Sequence, residues 1–248
     1  KFIDIKCRKS GLWPDAAVLV ATVRGLKYHG GMAQADLARE DLGALERGLA
    51  NLRRQVAIVT EQLGLPCVVA INHFPHDTEA ELALLRERLV AQGVPVQLAR
   101  HWAEGGAGAA DLAREVLRRC RKPVRTHFIY DDADALWVKM RKLATTVYGA
   151  AAVSAPADVL ARLQQWQDAG HGRFPICVAK TPYSFSIDPA QRGAATGHVV
   201  HVREARLAAG AEFVVMVCGD MMTMPGLPKA PAAESIDLDD EGHVVGLF

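Results

Sequence analysis

The 248-residue chain has no apolar run near the ~20 residues of a membrane-spanning helix and no cleavable signal pattern. It reads as cytoplasmic, with no membrane partner. It has no excess charge of one sign either: 29 Lys and Arg against 28 Asp and Glu leave a formal charge of +1, too little for a nucleic-acid footprint. There is no CxxC pair. The five cysteines, Cys7, Cys67, Cys120, Cys177 and Cys218, are odd in number and far apart, which points to buried free thiols rather than a disulfide framework or a metal site. Neither GxxxxGK(S/T) nor GxGxxG occurs, so the familiar nucleotide-phosphate cradles are absent from these residues. Aromatic side chains are scarce, at 6%, and where they stand therefore carries information.

What is present is an alternation of strands and helices. Val18–Val23, Pro66–Asn72 and Val94–Ala99 are short apolar runs, rich in β-branched residues and bounded by turn formers, as expected of strands buried on both faces. Between the first two, residues 40–63 place Leu42, Leu45, Leu49, Leu52, Val56 and Val59 at helical spacing before Gly64. Asp77-Thr78-Glu79 opens a second helix that runs to Gln92, and residues 109–120 form a third. The fold class expected is α/β: a doubly wound, mostly parallel sheet of P-loop-NTPase or Rossmann-like kind over residues 1–124, followed by a second, smaller α/β lobe over 125–248. In that second part helices are expected over 131–148 and 157–169, and strands over 175–179, 198–207 and 213–217. Lys1–Cys7 reads as a strand already in progress, as in the remainder of a longer polypeptide. The proline-rich stretch Met221–Pro231 reads as a long ordered loop or an interface arm.

Two aromatics fall just past the carboxyl ends of successive strands: Phe74 in Asn72-His73-Phe74-Pro75, and Trp102 in His101-Trp102-Ala103-Glu104-Gly105-Gly106. Open α/β sheets bind ligands at that edge, so the pair suggests a slot for a flat heterocycle. The plainer reading makes Phe74 a hydrophobic staple and Trp102 a packing residue. Lys27-Tyr28-His29-Gly30-Gly31 follows the first strand, where Gly30 and Gly31 would let N–H groups approach an anion and Arg24, Lys27 or His29 would supply polar contacts. A turn requiring positive φ explains the two glycines equally well. Gly105-Gly106-Ala107-Gly108 is better read as close helix–strand packing. His73 and His76 lack a third ligand, so no metal is expected on this chain. Lys180 stands at a strand end, and Asp4, Arg8, Asp77 and Glu104 are further polar candidates.

Taken in order, these blocks resemble the carboxy-terminal part of the formate–tetrahydrofolate ligase family. The likeness is carried by Phe2–Arg8, Val20–Arg24 with Lys27–Gly31, and Gly48–Leu52. It continues through Ala70-Ile71-Asn72, Phe74-Pro75 with Asp77-Thr78-Glu79, His101–Gly106, Ala179-Lys180-Thr181 with Tyr183-Ser184, and Thr223–Pro228. The resemblance implies ligation of formate to tetrahydrofolate at the expense of ATP, through formyl phosphate. It implies that Phe74 and Trp102 stack on the folate while Pro75 and Leu98 line its pocket. It also implies Mg2+ with the ATP, a monovalent cation, a homotetramer, and a P-loop domain that lies outside these residues. On that reading the isolated chain is inactive; the alternative is a non-catalytic folate-binding or oligomerisation module. His73 and Pro182 depart from the basic residue and the glutamine that the family pattern places there.

Overall fold

The three apolar runs do lie side by side. The computed structural model describes residues 1–179, 183–219, 230–242 and 244–246, and its first sheet has the order β1-β2-β3 with β1 Ala17–Ala21, β2 Cys67–Asn72 and β3 Val96–Ala99. All pairings are parallel, with Ala21 opposite Ile71 and Asn72 opposite Ala99. In β2 every residue from Cys67 to Ile71 is buried, as expected of a strand covered on both faces. On the edge strand β1, Val18 and Val20 are exposed while Leu19 and Ala21 pack into the core, which is the alternation of a strand covered on one face.

Helices α1 (Val23–His29), α2 (Leu42–Ala57), α3 (Glu79–Val90) and α4 (Ala110–Cys120) complete this part. The leucines at positions 45, 49 and 52 of α2 and 82, 85 and 89 of α3 pack on Val69 and Ile71. Their three- and four-residue spacing is the stripe that the sequence displays. Thr78 and Glu81 close a capping box at the start of α3. Glycines in the left-handed region, Gly64 and Gly93, follow the helical stretches as expected.

Two expectations are corrected here. The first residues are not a strand: Phe2–Cys7 is a wide helical turn that runs on into Arg8–Ser10. Its side chains pair at four-residue spacing, with Arg8 on Asp4 at 3.2 Å, Lys6 over the Phe2 ring, and Ile3 and Cys7 both buried against Leu65. Likewise the residues after β1 are not a loop, because Thr22 accepts the Gly25 N–H and caps α1 at once. Arg24, Lys27 and His29 are therefore helical residues.

A second apolar cluster, drawn from Tyr130 to Cys218, packs helices α5 (Leu136–Thr146) and α6 (Ala157–Asp168) against two small sheets. In one, β4 (Ala152–Ser154) pairs in parallel with β6 (Val199–His201); in the other, β8 (Phe213–Val217) lies between parallel β5 (Ile176–Ala179) and antiparallel β7 (Glu204–Ala208). The single strand expected over 198–207 is thus divided: the Val202 N–H still reaches Ser154, but the Arg203 N–H reaches Val217. A short hairpin pairs β9 (Asp237–Leu238) with β10 (Val244–Val245). The expected loop over 221–231 falls largely outside the described residues, as do Lys180 and Pro182. Among the described residues, no helix is long and apolar enough to cross a membrane.

Lys139 of α5 is fully buried and ties the helix to the turn before β5 by donating to the carbonyls of Gly172 and Phe174. Burial pushes its pKa down to about 8. Between that value and the ordinary 10.5, the unfolded chain binds more protons here than the folded one, so stability should rise with pH across this window, by at most about 1.4 kcal/mol per pH unit. Tyr130, whose pKa burial raises, opposes the trend above the usual tyrosine range near 10. Denaturant unfolding of wild type and Lys139→Met between pH 8 and 10 checks this: the wild type should gain on the variant as pH rises, and parallel curves would contradict it.

Candidate functional site

The edge at which strands β1, β2 and β3 end carries the aromatic pair. The β2–β3 ladder ends with His73 donating to Ala99, so Phe74 emerges one residue beyond it and Trp102 emerges three residues past Ala99 on the adjacent strand. Phe74 is held in a closed turn: its N–H donates to Asp77 Oδ2 at 2.8 Å, and the Asp77 N–H returns to the Phe74 carbonyl. Trp102 sits on the single helical turn His101–Glu104, and the loop behind it closes where the Arg100 N–H meets the Gly108 carbonyl. A Cβ on Gly108 would collide with the Arg100 backbone, so this glycine serves packing, as its sequence context suggests.

Neither ring is part of a core cluster. Phe74 is 41% exposed and Trp102 74% exposed, and among the described residues neither contacts another aromatic ring. Pro75 is exposed beside Phe74. Leu98 is partly buried and packs against the cluster of α2 and α3.

On the β1 side of Phe74 lies a cleft of about 380 Å³, lined by residues that include Thr22, Arg24, Gln34, Phe74, His76 and Asp77. A second hollow of about 320 Å³ shares Thr22, Arg24 and Gln34 with it and extends to Tyr28. Thr22 and Gln34 went unmarked in the sequence: Thr22 falls in the run read as a strand, Val18–Val23, and Gln34 carries no local signal. Trp102 does not line either hollow. Asp77 carries a pKa raised by burial, with the Phe74 N–H acting in the opposite direction.

The Lys27–Gly31 motif is placed differently from a phosphate loop. Lys27 is 1% exposed and its ammonium lies 2.8 Å from Glu81 Oε1, with a further bond to the Arg39 carbonyl. His29 Nδ1 accepts the Gly193 N–H, which leaves the Nε2 proton for Ser184 Oγ, both at 3.3 Å. Burial first, and the nearby Arg192 second, lower its pKa. Gly30 is a contact residue: a Cβ there would fall on the Ala44 carbonyl of α2. Gly31, at φ +100°, is the position that needs a left-handed conformation. Arg192 covers this corner, bonding the carbonyls of Tyr28 and Met32 and stacking on the Tyr28 ring. Of the five residues considered for anion contact, Arg24 is the one that the fold leaves open to the cleft.

A larger cavity of about 670 Å³ lies at the opposite sheet edge, where the last turns of α2, α3 and α4 converge with Arg53, Arg119 and Lys122. Helix carboxyl ends are negative and attract cations. The basic residues there answer those ends, and the cavity is on the side away from strand carboxyl termini.

The family model for formate–tetrahydrofolate ligase matches residues 1–248. The chain is 58% identical to formate–tetrahydrofolate ligase of Methylibium petroleiphilum over 252 residues and 58% identical to that of Methylococcus capsulatus over 249. The enzyme of Methylobacillus flagellatus is 53% identical over 249 residues. Each match takes in the whole of this chain but 45%, 44% and 45% of the respective relative's length. The chain therefore belongs to the formate–tetrahydrofolate ligase family.

Proposed function

We propose that these residues supply the tetrahydrofolate pocket and part of the active-site cleft of an ATP-dependent formate–tetrahydrofolate ligase. The observation that carries this is the placement of two exposed rings, Phe74 and Trp102, at the carboxyl ends of adjacent parallel strands. A pterin is planar and polar only at its rim, so ring stacking contributes about 0.5–1.5 kcal/mol beyond the area it buries. Pro75 extends the apolar wall, and Leu98 backs it. On this reading the three strands belong to a larger doubly wound sheet, residues 1–124 form the folate-binding unit, and 125–248 form a second lobe clasped to it through Asn51, Arg54 and Arg192.

The chemistry proposed is attack by folate N10 on the carbonyl carbon of formyl phosphate: the C–N bond forms, the C–O bond to phosphate breaks, and N10 loses its proton. Because the acyl phosphate is already activated, holding the reacting atoms about 3–3.5 Å apart supplies much of the acceleration. ATP, its Mg2+ and any monovalent cation are assigned to no residue of this chain. They belong to the part of the ligase that the relatives carry beyond the match, with a homotetramer as the assembly.

A second reading makes these residues a non-catalytic folate-binding or oligomerisation module. The two readings share the pocket and differ in turnover, which the isolated chain is expected to lack. In a full-length ligase carrying this sequence, Phe74→Ala and Trp102→Ala should each raise KM for tetrahydrofolate about 10-fold or more, the size of a lost base–aromatic stack. KM for ATP should hardly move. Unchanged folate kinetics in both variants would remove the pocket.

A further inference from the structure

We propose that Arg24 is the oxyanion anchor of the cleft beside Phe74, an inference that rests on the folate reading above. Arg24 is exposed on the first turn of α1 and lines both the cleft that Phe74 lines and the neighbouring hollow that extends to Tyr28. Among the described residues its guanidinium has no carboxylate within ion-pair distance and no hydrogen-bond acceptor. The one carboxylate that shares the cleft, Asp77, gives an oxygen to the Phe74 N–H.

The other cations of this corner are committed. Lys27 is held by Glu81 and the Arg39 carbonyl, and Arg192 by two carbonyls and the Tyr28 ring. His29 is held neutral, its Nδ1 accepting the Gly193 N–H. Nor does the helix gain from Arg24: a positive side chain in the first turn faces the positive end of the dipole, which costs stability. An arginine that the fold neither pairs nor profits from, set beside the ring that would stack a pterin, is placed for a ligand.

Its chemistry narrows the ligand class. Guanidinium presents a planar fork of donors that matches carboxylate or phosphate oxygens two at a time. Two sources of such an oxyanion meet at this edge: a carboxylate of the folate's glutamyl tail and the phosphoryl group of the acyl phosphate. Both would be bound by the same fork, and kinetics can tell them apart.

The test uses the full-length ligase with Arg24→Gln and Arg24→Lys, assayed with tetrahydrofolate, with tetrahydropteroate, which lacks the glutamyl group, and with formyl phosphate supplied directly. Loss of a charge-assisted bond pair should raise one KM about 10- to 100-fold, with Arg24→Lys between wild type and Arg24→Gln. A rise for tetrahydrofolate with tetrahydropteroate unaffected identifies the tail. A rise for formyl phosphate with both pterins unaffected identifies the phosphoryl group. If every KM is unchanged, or all rise together as the melting temperature falls, Arg24 is not an anchor. The folate reading is judged separately: Phe74→Ala and Trp102→Ala losing tetrahydrofolate while Arg24→Gln loses nothing would overturn the anchor alone.

Discussion

Replacing Glu81 with alanine is expected to cost about 3–5 kcal/mol of folding free energy, the range for removing one partner of a buried ion pair. The side chains of Lys27 and Glu81 are 2% and 0% exposed, so the ammonium left behind cannot turn to water. Glu81 does more than neutralise it. Oε1 also accepts the Asp41 N–H that begins α2, and Oε2 accepts the Thr78 N–H that begins α3. Truncation would therefore orphan two backbone donors, each costing about 1–3 kcal/mol if it stays dry. The double variant Lys27→Met with Glu81→Gln removes both charges yet keeps an acceptor, and should recover most of the loss. Urea unfolding at neutral pH decides the matter: a Glu81→Ala midpoint equal to wild type would show that the pair does not brace the fold. The consequence reaches the site, since this pair joins the helix that carries Arg24 to the helix that follows the Phe74 turn.

The same pair shows where sequence reading stops. The strands β1, β2 and β3 and the helices α2, α3 and α4 were legible because their apolar residues fall in runs or repeat at spacings imposed by backbone geometry, and because Gly64, Thr78 and Gly93 punctuate them. Phe74 and Trp102 were legible as an edge pair for the same reason: each follows a recognisable strand end. Lys27 was not. Lysine is almost never fully buried without a partner, and its partner lies 54 positions away on another helix, so the residue looked like a free cation. Helix α1 gave no period to read, being seven residues long with Gly25, Tyr28 and His29 among them. The Phe2–Cys7 segment misled because alternating apolar and polar residues over so short a span suit either a strand or a helix that pairs at four-residue spacing. His29 looked available for a phosphate, yet its ring nitrogens are taken up by Ser184 and Gly193 from the far part of the chain.

Gly30 and Gly48 bear on whether the Lys27–Gly31 corner is a loop for anions or a contact between helices. Alanine in place of a mid-helix glycine normally stabilises by about 1 kcal/mol, and Gly48 is mid-helix in α2. Its missing Cβ, however, would fall on the Leu26 carbonyl of α1, far inside the 3.0 Å that real Cβ atoms keep, and the obstacle is backbone rather than a flexible side chain. Gly30 meets the Ala44 carbonyl in the same way from the opposite helix. Two glycines thus let α1 and α2 cross at backbone contact, and Arg47 seals the crossing by donating to the Gly30 carbonyl at 2.9 Å. Gly48→Ala should therefore reverse the usual sign and destabilise by about 1–3 kcal/mol or more, as overpacking does, with Gly30→Ala alongside it. Gly43→Ala is the control: its Cβ would meet only side-chain atoms at 3.4 Å, so it should be neutral or slightly stabilising. Forcing α1 outward also moves Arg24 relative to Phe74, so Gly48→Ala in the full-length ligase should weaken tetrahydrofolate even at temperatures where the protein remains folded. A Gly48→Ala variant as stable as wild type would mean that the helices do not cross this closely, and the corner would again be open to a phosphate.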